Sequence, residues 1–128
     1  MKKSYRQAAA VVLLITLLAS MLTVFAVEPR YTYIRNLSCE VNVVDGKVIA
    51  SASLQGTSDV TKCQIALTIQ KKVGTTWEDV ITWTTSKDSN SMTMERSTAS
   101  VAGTTYRAKA TGKVWFAGGT ESDTTTGN

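Results

Sequence analysis

Between Gly103 and Phe116 the chain reads G-T-T-Y-R-A-K-A-T-G-K-V-W-F, a glycine turn followed by a long alternation. Tyr106, Ala108, Ala110, Val114 and Phe116 fall on one parity, and Arg107, Lys109, Thr111, Lys113 and Trp115 on the other. Successive side chains of a strand point to opposite faces, so the pattern predicts a strand with one dry face and one basic face.

The same alternation recurs on both sides of this stretch. Leu37, Cys39, Val41 and Val43 predict a first strand, and Asp45-Gly46 is a hairpin signal between apolar runs. Val48, Ala50, Ala52 and Leu54 point inward on the return strand, and Cys63, Ile65, Leu67 and Ile69 on a third. Val73-Gly74-Thr75 then turns the chain into Trp77–Thr85. There Trp77, Val80, Ile81 and Trp83 break strict alternation, and a β-bulge between Trp77 and Val80 would restore it. Met92–Ala99 alternates weakly, its methionines suited to filling core gaps. A Thr-rich strand over Thr120–Thr125 closes the chain after Gly118-Gly119.

Short strands with turn signals every 8–12 residues predict an all-β, two-sheet antiparallel sandwich of about seven strands, with a small barrel as the competitor. Tyr106, just inside a strand after Gly103, fits the tyrosine corner of immunoglobulin-like sandwiches, whose hydroxyl bonds backbone a few residues upstream. That motif bears on fold, not on activity.

The N-terminus has the layout of an export signal over residues 1–26. Lys2, Lys3 and Arg6 precede an apolar run from Ala8, and Val24-Phe25-Ala26 offers a cleavage site. An uncleaved membrane anchor is the rival, since a run of about 20 apolar residues approaches a bilayer span. Residues 27–36 then form an extended segment, and 37–128 an immunoglobulin-like domain. Without the three n-region cations, eleven basic residues face ten acidic ones. The remaining chain is nearly neutral, so electrostatic function rests on how charge is distributed.

Two cysteines in an exported chain usually pair. Cys39 and Cys63 both carry inward parity, on strands that normally lie in opposing sheets. A bridge across the sandwich is therefore expected, with a stabilisation of roughly 3.5 kcal/mol on the chain-entropy model.

The order P-R-Y-T-Y (Pro29–Tyr33), a strand hairpin, L-T-I-Q-K-K-V-G-T-T-W (Leu67–Trp77) and G-T-T-Y-R (Gly103–Arg107) resembles a group of small secreted proteins of Gram-positive bacteria. These carry immunoglobulin- or fibronectin-like sandwiches, mostly without assigned function. The resemblance implies fold and export and transfers no catalytic residue.

Catalysis finds little support. The chain has no histidine, the commonest general base and metal ligand. No serine sits in G-x-S-x-G or S-x-x-K. Glu78 and Asp79 are adjacent, which on a strand sends them to opposite faces. Glu121 and Asp123 share a face, yet supply only two ligands where calcium wants six or more. No enzyme, cofactor or metal is expected.

One surface invites a function. Lys62 and Lys72 of the third strand should lie beside Arg107, Lys109, Lys113 and Trp115 of the sixth. Such a face suits an anionic wall polymer, an acidic glycan or a partner protein, and the bland alternative is an ordinary solvated sheet. The leading expectation is an exported, non-catalytic binding module, secreted or on the outer face of the cell envelope. It would engage no nucleic acid, and a membrane only through the N-terminal segment. The alternative is an accessory subunit tethered by that segment.

Overall fold

The computed structural model describes residues 32–128, which form seven strands and no helix. The segment expected as a signal, and the first part of the extended 27–36 region, lie outside the described residues. The strands are β1 (Ile34–Val44), β2 (Lys47–Gly56), β3 (Val60–Val73), β4 (Thr76–Lys87), β5 (Ser91–Ala99), β6 (Tyr106–Phe116) and β7 (Gly119–Gly127). They make two antiparallel sheets, ordered β1-β2-β5 and β4-β3-β6-β7.

Turn chemistry accounts for the neighbours. Asp45 (φ 49°) and Gly46 (φ 75°) both take the left-handed conformation that a two-residue hairpin requires, and they lay β2 against β1. The β3–β4 connection is equally tight, with Val73 opposite Thr76 and Gly74 at φ 64°. This places β4 beside β3. In constant-type immunoglobulin domains the fourth strand lies beside the fifth instead.

The core lies between the sheets. Val48, Ala50 and Leu54 of β2 face Cys63, Ile65, Leu67 and Ile69 of β3 and Ala108, Ala110 and Val114 of β6, all with no exposure. Met92 and Met94 fill the β5 side. Burying a side chain such as Leu54 or Ile65 is worth about 1.5–3 kcal/mol. Val43, expected inward, is 56% exposed, although its partner across the hairpin, Val48, is fully buried.

The first strand starts at Ile34, three residues before the expected boundary. A carboxylate far along the chain holds its beginning. Glu121 of β7 accepts the amides of Thr32, Tyr33 and Ile34 at 2.7, 2.7 and 2.9 Å. Tyr33 stacks on Phe116 with ring centroids 3.6 Å apart. Both oxygens of Glu121 are thereby engaged, and an Asp123 oxygen accepts the Thr124 amide at 2.7 Å. Glu121 thus anchors the start of β1.

The expected bulge is in β4, one position along. Ile69 pairs with Ile81 and Gln70 with Asp79, leaving Val80 as the extra residue. It does not gather the apolar residues onto one face. Ile81 faces in with Ile69, whereas Trp77 pairs with Lys72 and stays outside.

The expected Cys39–Cys63 bridge is corrected: both cysteines are free. They do lie in opposing sheets and point inward, but at different heights. The Cys39 Sγ approaches the carbonyl oxygens of Ala108 and Thr125 at 3.5 and 3.7 Å, and Thr125 pairs with Ala110. Cys63 pairs with Val114, four residues beyond Ala110 on β6. At ~3.3 Å per residue the two heights differ by ~13 Å, while a disulfide needs Cα atoms within ~7 Å.

Candidate binding face

The outward side of β4-β3-β6-β7 carries every residue proposed for binding. Register sets the rows. Gln70 lies between Asp79 and Arg107, Thr68 between Thr82 and Lys109, and Gln64 between Ser86 and Lys113. Lys62 pairs with Trp115, and Lys72 with Trp77. The β3–β6 adjacency expected from sequence is present, and it brings all six named residues onto one surface.

Two aromatic–cation clusters mark the ends of this surface. At one end the Lys62 and Lys113 ammonium groups lie 4.9 and 5.0 Å from the Trp115 ring centroid. At the other the Arg107 guanidinium lies 4.4 Å from the Trp77 ring. Each contact is worth about 0.5–1 kcal/mol at an exposed site. Trp115 lies eight residue steps beyond Arg107 on β6, a span of ~26 Å at ~3.3 Å per residue. Lys109 and a band of threonines lie between, with Thr68 and Thr82 hydroxyls 2.7 Å apart and Thr111 and Thr124 hydroxyls 3.1 Å apart.

Arg107 belongs to a fixed network and is not a freely solvated charge. Its Nε donates to Gln70 Oε1 at 2.7 Å, and Gln70 Nε2 donates to Asp79 Oδ1 at 2.8 Å. Gln70 is only 6% exposed and Thr68 only 7%, although both point away from the core. The long side chains around them form a second layer over the sheet. Sequence alternation alone treats these positions as solvated, and it gave no place on this face to Trp77. The one available signal was that Trp77 has the wrong parity for Ile81 once a bulge is allowed between them.

Tyr106 closes the far end of β6. Its ring is buried, and its hydroxyl accepts the Val101 amide at 2.9 Å, five residues upstream. This is the contact that defines a tyrosine corner.

The outer side of β1-β2-β5 is different. Ser38, Ser51, Ser53, Thr93, Glu40 and Glu95 line a depression of about 500 Å³ that also takes in Arg96 and, from the other sheet, Thr85 of β4. Ser51 lies opposite both carboxylate-bearing residues, and its Oγ donates to Glu40 Oε1 at 3.4 Å. Burial pushes both cysteine thiols above their ordinary 9.0, with a backbone hydrogen bond from Ala110 partly offsetting this at Cys39 and the Lys87 charge at Cys63. Both therefore stay protonated at neutral pH.

No family model and no curated relative matches the chain. Among solved structures, the solution structure of R. palustris CsgH is similar at 16% identity and a TM-score of 0.40, over 70% of this chain and 90% of that one.

Proposed function

We propose that the chain is an exported, non-catalytic module of the immunoglobulin-like kind that binds an anionic polymer of the cell envelope. The observation that carries this reading is the basic outer face, where two aromatic–cation clusters, one at Arg107 and one at Trp115, stand ~26 Å apart along β6. A surface of that length suits an extended chain with repeated negative charge better than a small molecule. Lys62, Lys72, Lys109 and Lys113 supply charge, and Trp115 supplies a flat apolar surface for a sugar ring. The absence of histidine from the sequence and the protonated thiols favour binding over catalysis. The likeness to secreted sandwich proteins of Gram-positive bacteria suggests the compartment.

The test is retention on purified cell wall at low and high salt. Exposed charges are screened over about 10 Å at 0.1 M salt, so retention should fall steeply as salt rises. Lys62→Ala with Lys113→Ala should lower it at low salt, because their ammonium groups gather positive charge over the Trp115 ring. Arg107→Ala is a poor probe, since it also strands the Gln70 amide. Retention indifferent to salt and to the lysine pair, or no retention, would overturn the proposal.

A further inference from the structure

The edges of the two sheets are not equally guarded. β1 is covered along its flank by β7, where a Cβ on Gly127 would run into the Cys39 carbonyl. β5 carries Glu95 and Arg96 in mid-strand, and β7 carries Glu121 and Asp123. Charges in such positions discourage a second strand from pairing. β4 carries none of its own between Val80 and Ser86, where Arg96 of β5 donates to the Thr85 hydroxyl at 3.4 Å. Its residues there, V-I-T-W-T-T-S, are β-branched or aromatic except Ser86, with no proline or glycine. Val80 is 42% exposed and Ile81 37%. A run of this composition on an unpaired edge is a template for another strand.

Charge selects the occupant. A two-fold axis through Trp83, perpendicular to the sheet, sets β4 antiparallel to its own copy and keeps each side chain on its own face. Thr82 then lies opposite Thr84 of the second copy, and Ile81 opposite Thr85. Val80 is the extra residue of the bulge, so the register steps past it. Asp79 meets Ser86, and Glu78 meets Lys87. Symmetry makes this last contact twice, giving two opposite-charge pairs at the ends of the seam. Both residues are exposed and free to move into it.

We infer that β4 pairs edge to edge with β4 of a second copy of this chain. The two four-stranded sheets become one, and the two basic faces become continuous.

Analytical ultracentrifugation of the full chain in a density-matched non-ionic detergent tests this. The wild-type chain should sediment as a dimer at micromolar concentration. Glu78→Lys or Lys87→Glu alone turns two attracting cross-strand pairs into repelling ones and should raise the dissociation constant about tenfold or more. The variant carrying both exchanges should dimerise again, which separates a lost seam from a lost fold. A wild-type monomer, or a dimer indifferent to the single exchanges, overturns the inference. So does a monomer that instead holds a different protein and loses it on the same exchanges.

Discussion

The two outer faces of this sandwich arise from the same alternating pattern, yet they are different kinds of surface. On β1-β2-β5 the outward residues are mostly serine, threonine and glutamate, and the sheet lies bare beneath a shallow depression. On β4-β3-β6-β7 long cations, tryptophans and glutamines stand among a band of threonines, and Gln70 and Thr68 are buried on this face. Side-chain length, more than hydropathy, separates the two. A short outward residue interacts with water, whereas a long one covers its neighbours and becomes part of the structure.

This difference can be broken most directly at equivalent mid-strand positions. Gln70→Ala should destabilise the fold by about 2 kcal/mol, because it removes two part-buried hydrogen bonds to charged groups, Asp79 and Arg107. Ser53→Ala, outward on β2, should cost less than about 0.5 kcal/mol. Urea unfolding of both variants decides it: equal costs would mean that the second layer over β3 contributes nothing.

Tyr106→Phe comes next, at about 1 kcal/mol, since the Val101 amide loses its acceptor while the ring stays packed. An unchanged melting temperature would reduce the corner to simple burial of a ring.

The layer that both faces share has its own signature in alkali. The folded Cys63 thiol titrates above its ordinary 9.0, so the fold favours the protonated form. That contribution is complete below the unfolded value and is lost as pH rises through the folded one. Unfolding free energy should therefore decline above about pH 9, and Cys63→Ala should flatten that decline relative to wild type. Thiol titration of unreduced, denatured protein should find both cysteines free.

The smallest effect is expected on the acidic face. Glu95→Gln should change stability by less than about 0.5 kcal/mol and leave retention on cell wall unaltered. A marked loss of retention would move the binding surface from one sheet to the other.

Much of this molecule was legible in residue order. Alternation located seven strands, and Asp45-Gly46 and Gly74 located the hairpins because few residues tolerate positive φ. Parity assigned the inward rows of β2, β3 and β6 without error, and it placed Lys62, Lys113 and Trp115 on one surface. These are local properties, fixed by the two-residue period of a strand and by the conformational limits of a few turns. Parity names a face, however, and says nothing about height along it. That is why Cys39 and Cys63 look like partners in sequence while lying ~13 Å apart along β6 in the fold. Nor does parity record how far a side chain reaches. The joining of Trp77, Arg107, Gln70 and Asp79 into one network, and the capture of three amides by Glu121, depend on register between strands distant in sequence. Register is settled only when two sheets pack on a common core, so those features belong to the tertiary structure.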